Sequence, residues 1–256
     1  ARRCVSETGL QLQRDRAVER LVHRLVDLHD TSLSSMWMLP RLAIGWPTMT
    51  AVAIAFTIAC AAALVWAEVN DSTLARPFKM LASTGFVAIA LSVGGLAGAY
   101  GRLVLIALAF SWVGDLLLTY TSRPAFLGGL VTFLLGHVAY SFAFAVLGVA
   151  ERVAAVAAIV MMVVTVPVWR WLRPHVNDMA GPVIAYIVVI SVMVVAAVAA
   201  FGAGATALVP IGAALFYLSD IAVARNQFVA PGIDNRIVGL PLYYLAQILL
   251  ASTAGG

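Results

Sequence analysis

Eight runs of mostly apolar residues, each near the length of a membrane-crossing helix, follow one another between Trp46 and Ser252 with only short polar breaks. A helix needs about 20 such residues to cross the hydrocarbon core of a bilayer. The expected spans are Trp46 to Ala67, Phe78 to Leu96, Leu103 to Tyr120, Ala125 to Val149, Val153 to Leu172, Met179 to Ala200, Thr206 to Ala224 and the shorter Ile237 to Ser252. Backbone in lipid must satisfy its own hydrogen bonds, which helices do. The expected fold is therefore all-α, a polytopic membrane bundle of about eight transmembrane helices occupying residues 46–254. Composition excludes a soluble alternative: 62% of the residues are hydrophobic and 11% charged, against roughly a quarter charged in an ordinary soluble domain.

Residues 1–45 are the only long polar stretch, and within them Leu21, Val22, Leu25, Val26 and Leu28 alternate with Arg20, Arg24 and Asp27. That pattern predicts an amphipathic interfacial helix on a basic segment, with partner binding or disorder as the alternatives. A net charge of +4 alone would suit nucleic acid as a partner, but the cations are scattered singly between apolar runs, so no nucleic-acid role is expected. Cys4 and Cys60 are too far apart in character and sequence for a disulfide framework or a CxxC metal site. Lys79 is the only lysine in a chain rich in Ala, Val and Arg, which points to a high-GC bacterium and its cell membrane.

Pro77, Pro124, Pro182 and Pro241 are expected in or near the first turns of even-numbered spans, where the missing N–H costs nothing. Pro167 and Pro210 are expected inside spans five and seven, as kinks. Loops after odd spans carry Arg76, Lys79, Arg123, Arg170, Arg173, Arg225 and Arg236, and those after even spans only Arg102 and Arg152. The excess places the odd-loop side in the cytosol, against the basic tail, whose length reduces its weight.

Ionised carboxylates at bilayer depth cost at least about 2.5 to 3.5 kcal/mol on insertion scales. Asp115 lies late in span three and Asp220 late in span seven, so both fall in the odd-loop leaflet. His137 is the only histidine inside a span, and Tyr186, Tyr243, Tyr244 and Gln247 add polar groups to spans six and eight. Arg76 and Lys79 flank Pro77 at the same surface. Together these residues predict a cavity with a cationic rim, an acidic interior and apolar walls, suited to a phospholipid-like amphiphile. Duller roles compete: hydrogen-bonded structural acids, a packed core histidine, interfacial tyrosines, a helix-bridging Gln247 and positive-inside markers. Asn177 and Asp178 are expected to cap span six.

The order of these motifs resembles the YhhN-like lysoplasmalogenase family. The resemblance rests on Arg76-Pro77, Ser111-Trp112-Val113-Gly114-Asp115, Gly136-His137-Val138-Ala139-Tyr140, Pro182 through Tyr186 to Met193, Leu215 to Asp220, and Tyr243-Tyr244-Leu245-Ala246-Gln247. It covers the chain from about residue 50 onward, with Arg76 where the family more often has lysine. The resemblance implies a membrane hydrolase that cleaves the vinyl ether of lysophospholipids to an aldehyde and a glycerophospho-alcohol, with membrane lipids around it and no cofactor or metal.

Vinyl ether hydrolysis begins with protonation of the β-carbon to give an oxocarbenium ion, so it needs an acid, an anion and a placed water. In low dielectric two carboxyls rarely both ionise, and Asp115 and Asp220 would divide the acid and carboxylate roles. His137 would orient water or relay protons as the third catalytic residue. Tyr140, Tyr186, Ser219, Tyr243, Tyr244, Gln247, Arg76 and Lys79 are the expected substrate contacts. Two other classes compete: a metal-dependent lipid amidase or esterase with Asp115, Asp220 and His137 as ligands, and a non-enzymatic lipid transporter or receptor. The sequence leaves the oligomeric state open.

Overall fold

A computed structural model of the protein describes residues 46–256. The expected polar N-terminal helix lies outside the described residues. Eight long helices occupy the described part: α1 (Trp46–Val69), α2 (Ala75–Ser92), α3 (Ala99–Leu117), α4 (Arg123–Val146), α5 (Glu151–Leu172), α6 (Ala180–Gly202), α7 (Leu208–Ala224) and α8 (Ile233–Ser252). All are apolar on most of their surface, because lipid replaces water around them. Short 3₁₀ turns at Arg173–His175 and Asn177–Met179 join α5 to α6, and a π turn at Arg225–Val229 extends α7.

Six of the eight helices are long and apolar enough to cross a membrane by length and composition, and α2 and α8 are the two that fall short. The shortfall has a local cause. Arg76, Lys79, Ser83 and Thr84 lie on α2, and Asp234, Asn235, Arg236 and Gln247 on α8. Of these, Ser83, Asn235 and Gln247 are buried and Lys79 half-buried, since α8 packs against α1, α2, α3 and α7, whereas Arg76, Thr84, Asp234 and Arg236 stay exposed near the helix ends or on the outer face. α8, which touches four other helices, is thus one of the two less suited to lipid. At the other extreme, α5 packs chiefly on α6 and exposes Val156, Ile159, Val160, Met162 and Val163, a face for acyl chains.

The core runs through the bundle as Leu64, Phe86, Leu108, Tyr140, Phe144, Phe216, Tyr244 and Leu250, all essentially without exposed surface. Without a hydrophobic drive between helices in lipid, close packing must supply the attraction, which favours small residues at crossings. Gly114 of α3 shows the constraint: a Cβ there would lie 2.6 Å from Cε2 of Phe133 on α4.

Two prolines exchange the roles expected of them. Pro210 lies in the first turn of α7, where it interrupts nothing, while Pro241 lies inside α8, because that helix begins at Ile233. The early start takes in the polar stretch Asp234-Asn235-Arg236, where Asn235 is buried, accepting from Arg225 and donating to the carbonyls of Ala230 and Gly232, while Asp234 and Arg236 stay exposed. Pro167 is inside α5 as expected. Asn177 and Asp178 do not cap α6: they form the 3₁₀ turn, Asn177 at φ 43°, a left-handed conformation that asparagine tolerates. Asp178 pairs instead with Arg123 at the start of α4.

Candidate active site

Two adjoining cavities open from the end of the bundle that carries the odd-numbered loops. The outer one, about 970 Å³, is a polar vestibule bordered by Glu68, Asp71, Arg76, Arg123, Asp178 and Arg236. The inner one, about 180 Å³, is walled by apolar residues of α4 to α8, among them Leu130, Phe133, Ile187 and Ile190. Lys79, Leu118, Phe126, Phe228 and Leu240 border both, so they form the junction. Phe126 and Phe228 meet edge to face there, with ring centroids 6.1 Å apart.

Asp115 and Asp220 both face the inner cavity, and each is set in a different network. Asp115 lies one turn from the end of α3, next to Gly114, and is 2% exposed. Its Oδ1 is 3.3 Å from Nζ of Lys79 on α2. Its Oδ2 accepts 2.6 Å hydrogen bonds from the hydroxyls of Ser83 on α2 and Tyr243 on α8. Two hydroxyl donors and an ammonium around one buried carboxyl are the environment of a carboxylate, because a charge in low dielectric must be paired and hydrogen-bonded.

Asp220, near the end of α7, accepts a 2.7 Å hydrogen bond from the Tyr186 hydroxyl of α6. Its Oδ2 lies 3.5 Å from Nε2 of His137 on α4, and no lysine or arginine among the described residues pairs with it. His137 is enclosed between Tyr186 and Phe216, with ring centroids at 5.3 Å and 4.6 Å. Among the described residues no hydrogen bond of normal geometry reaches either ring nitrogen of His137, nor Ser111 Oγ one helix away. Buried polar atoms without partners usually mark ordered water.

Of the residues singled out in the sequence, Lys79, Asp115, Tyr186, Ser219, Asp220 and Tyr243 line the inner cavity, and Arg76 borders the vestibule. His137, Tyr140, Tyr244 and Gln247 line neither. Tyr140 donates to Gln247 Oε1 at 2.7 Å, and Gln247 Nε2 donates to Tyr243 Oη at 3.3 Å. Tyr244 approaches Ser83 Oγ and the Lys79 carbonyl, both at 3.2 Å. Lys79 therefore pairs with a carboxylate as well as standing at the junction. Among the described residues no group of three His, Cys, Asp or Glu side chains lies close enough to hold a metal ion. Ser83 was not foreseen: a serine within Leu81-Ala82-Ser83-Thr84-Gly85 reads as one more small packing residue.

Comparison with known proteins gives the arrangement relatives. The human protein named lysoplasmalogenase TMEM86A is 28% identical over 154 residues, 59% of this chain and 64% of the relative. Its bovine counterpart is 26% identical over 158 residues, with the same coverage. The chain thus spans just under two thirds of the length of these curated relatives. No solved structure gives a significant match. The family model described as the YhhN family matches residues 72–254, from the mouth of α2 to the end of α8 and so across every side chain of both carboxyl networks, and the chain belongs to that family.

Proposed function

We propose that the protein hydrolyses the vinyl ether bond of lysoplasmalogen-type lysophospholipids within the membrane, releasing a fatty aldehyde and a glycerophospho-alcohol. The observation that carries the reading is an apolar cavity faced by two carboxyls in unlike settings, Asp115 buried and paired with Lys79, Asp220 partly buried and without a lysine or arginine partner among the described residues. The alkenyl chain would occupy the inner cavity and the headgroup the vestibule, where Arg76 borders the phosphate's position. The names of the relatives support the same substrate class.

The unlike settings favour a division of roles. Asp220, with no lysine or arginine partner among the described residues, would be the acid: it gives its proton to the β-carbon of the double bond, and the ether oxygen's lone pair forms the oxocarbenium ion. Asp115, the carboxylate, stabilises that cation. Water bonds to the cationic carbon and gives a proton to Asp115. As the hemiacetal collapses, the glycerol oxygen takes the proton from Asp115 and the hemiacetal hydroxyl returns one to Asp220. Both carboxyls are then as they began, and one water has been consumed. The ring nitrogens of His137, beside Asp220, are suited to hold that water.

A metal-dependent amidase fits less well, since Asp115 faces the Lys79 ammonium and so lies against a cation already. The test is purified protein in detergent with alkenyl- and acyl-lysophospholipids, following aldehyde and fatty-acid release. Aldehyde from wild type, and none from Asp115→Asn or Asp220→Asn, is expected. Release of fatty acid alone, or of neither product, would overturn the proposal in favour of an esterase or a lipid-binding protein.

A further inference from the structure

Tyr140 and Gln247 stand away from the cavity, yet their hydrogen bonds end on Asp115, and the protons in that chain can be assigned one by one. Tyr140 is wholly buried, and its hydroxyl has one hydrogen-bond acceptor among the described residues, Gln247 Oε1 at 2.7 Å. An amide with its oxygen toward Tyr140 must present its NH₂ to the other side. There it meets Tyr243 Oη at 3.3 Å and donates to it. Tyr243 has then received a proton from one side, and its own proton points the other way, to Asp115 Oδ2 at 2.6 Å.

The chain has one other self-consistent arrangement. With the amide turned over, Asp115 would be protonated and donate to Tyr243, Tyr243 would donate to the amide oxygen, and the amide nitrogen would donate to Tyr140. The Tyr140 proton would then be buried with no acceptor, a loss comparable to a full hydrogen bond. Tyr140 therefore biases the direction of the whole chain from two links away.

We propose that Tyr140 is a positioning residue that, by pinning the Gln247 amide, fixes the hydrogen-bond polarity that keeps Asp115 in its proton-accepting, carboxylate form. The inference deepens the proposed mechanism and rests on it for its catalytic meaning. The groups facing Asp115 act together: Lys79 and Ser83 from α2 and Tyr243 from α8 hold it directly, while Tyr140 from α4 acts only through Gln247.

The assignment makes a prediction that simple packing does not. Tyr140→Phe removes the hydroxyl that pins the amide, so the reversed chain becomes accessible. Gln247→Leu removes the amide, leaving Tyr243 with Asp115 as its acceptor and no reversed arrangement to adopt. Infrared spectroscopy of the purified full-length chain in lipid nanodiscs at neutral pH reads the difference, with the carboxylic C=O band of Asp115 identified by its absence in an Asp115→Asn background. The band is expected in Tyr140→Phe, and is expected to be lacking in wild type, Gln247→Leu and the Tyr140→Phe/Gln247→Leu double variant. In turnover, Tyr140→Phe is expected to lower kcat several-fold with KM held. A band absent from Tyr140→Phe, or one that persists in the double variant, overturns the proposal. Because the spectrum needs no substrate, the polarity stands or falls apart from the reaction: wild type that releases no aldehyde sinks the functional reading alone.

Discussion

Lys79 and Asp115 illustrate how a single ion pair can be worth more broken than made. Moving both charges into the bundle costs desolvation that their 3.3 Å contact only offsets, but removing one partner strands the other. Lys79→Met is expected to lose about 3 kcal/mol of stability, because a carboxylate with two bound hydroxyls is left without its cation. The double variant Lys79→Met/Asp115→Asn is expected to recover much of that loss, since no charge is left buried. Thermal unfolding in detergent checks the order, and a double variant less stable than Lys79→Met would show that the pair is not coupled. At Asp220 the partner is a neutral hydroxyl, so Tyr186→Phe removes a 2.7 Å hydrogen bond without stranding an ion. A smaller stability loss, about 1 kcal/mol, is expected there, with kcat for aldehyde release falling more than KM rises.

At the scale of helices, the site depends on how closely α3 and α4 approach. Gly114 sits where a Cβ would lie 2.6 Å and 2.7 Å from two ring carbons of Phe133 and 3.0 Å from Thr132 Oγ1. Phe133 cannot yield easily, being edge-on to both Tyr243 and Phe216 with centroids 5.9 Å and 6.3 Å away. Gly114→Ala is therefore expected to cost about 1–3 kcal/mol by overpacking. It should also lower kcat, since the neighbouring Asp115 moves with the helix; an unchanged melting temperature would show that α3 and α4 can part without strain. The same elements show what sequence can and cannot reveal. Every helix was legible within a few residues, six of them from long apolar runs, and the placing of Asp115 and Asp220 late in α3 and α7 followed by counting. The start of α8 was not, since Asp234-Asn235-Arg236 is indistinguishable from a loop until the buried Asn235 is seen bonded to Arg225, Ala230 and Gly232. Ser83 and the Tyr140–Gln247 link were hidden for a related reason. Periodicity tells which face of a helix a residue occupies, and the partner across that face depends on bundle order.

For the molecule as a whole, the asymmetry between its two ends decides which compartment the vestibule faces, and with it where the proposed reaction would take its headgroup and leave its glycerophospho product. The vestibule, the junction at Lys79 and both carboxyls belong to the end formed by the loops after α1, α3, α5 and α7. That end also carries most of the arginines of the described residues, although Arg123 and Arg236 are engaged with Asp178 and Glu68. Acidic residues count for little in setting topology, so pairing does not cancel the bias, and the vestibule is expected to face the cytosol. Single cysteines in a Cys4→Ser/Cys60→Ala background report the orientation. Thr121→Cys, at an exposed position between α3 and α4, should react with a membrane-impermeant maleimide only after the cells are opened, whereas Thr206→Cys, at an exposed position between α6 and α7, should react in intact cells. The reverse pattern would turn the vestibule outward, and the product headgroup would then leave on the outside while the aldehyde partitioned into the bilayer on either orientation.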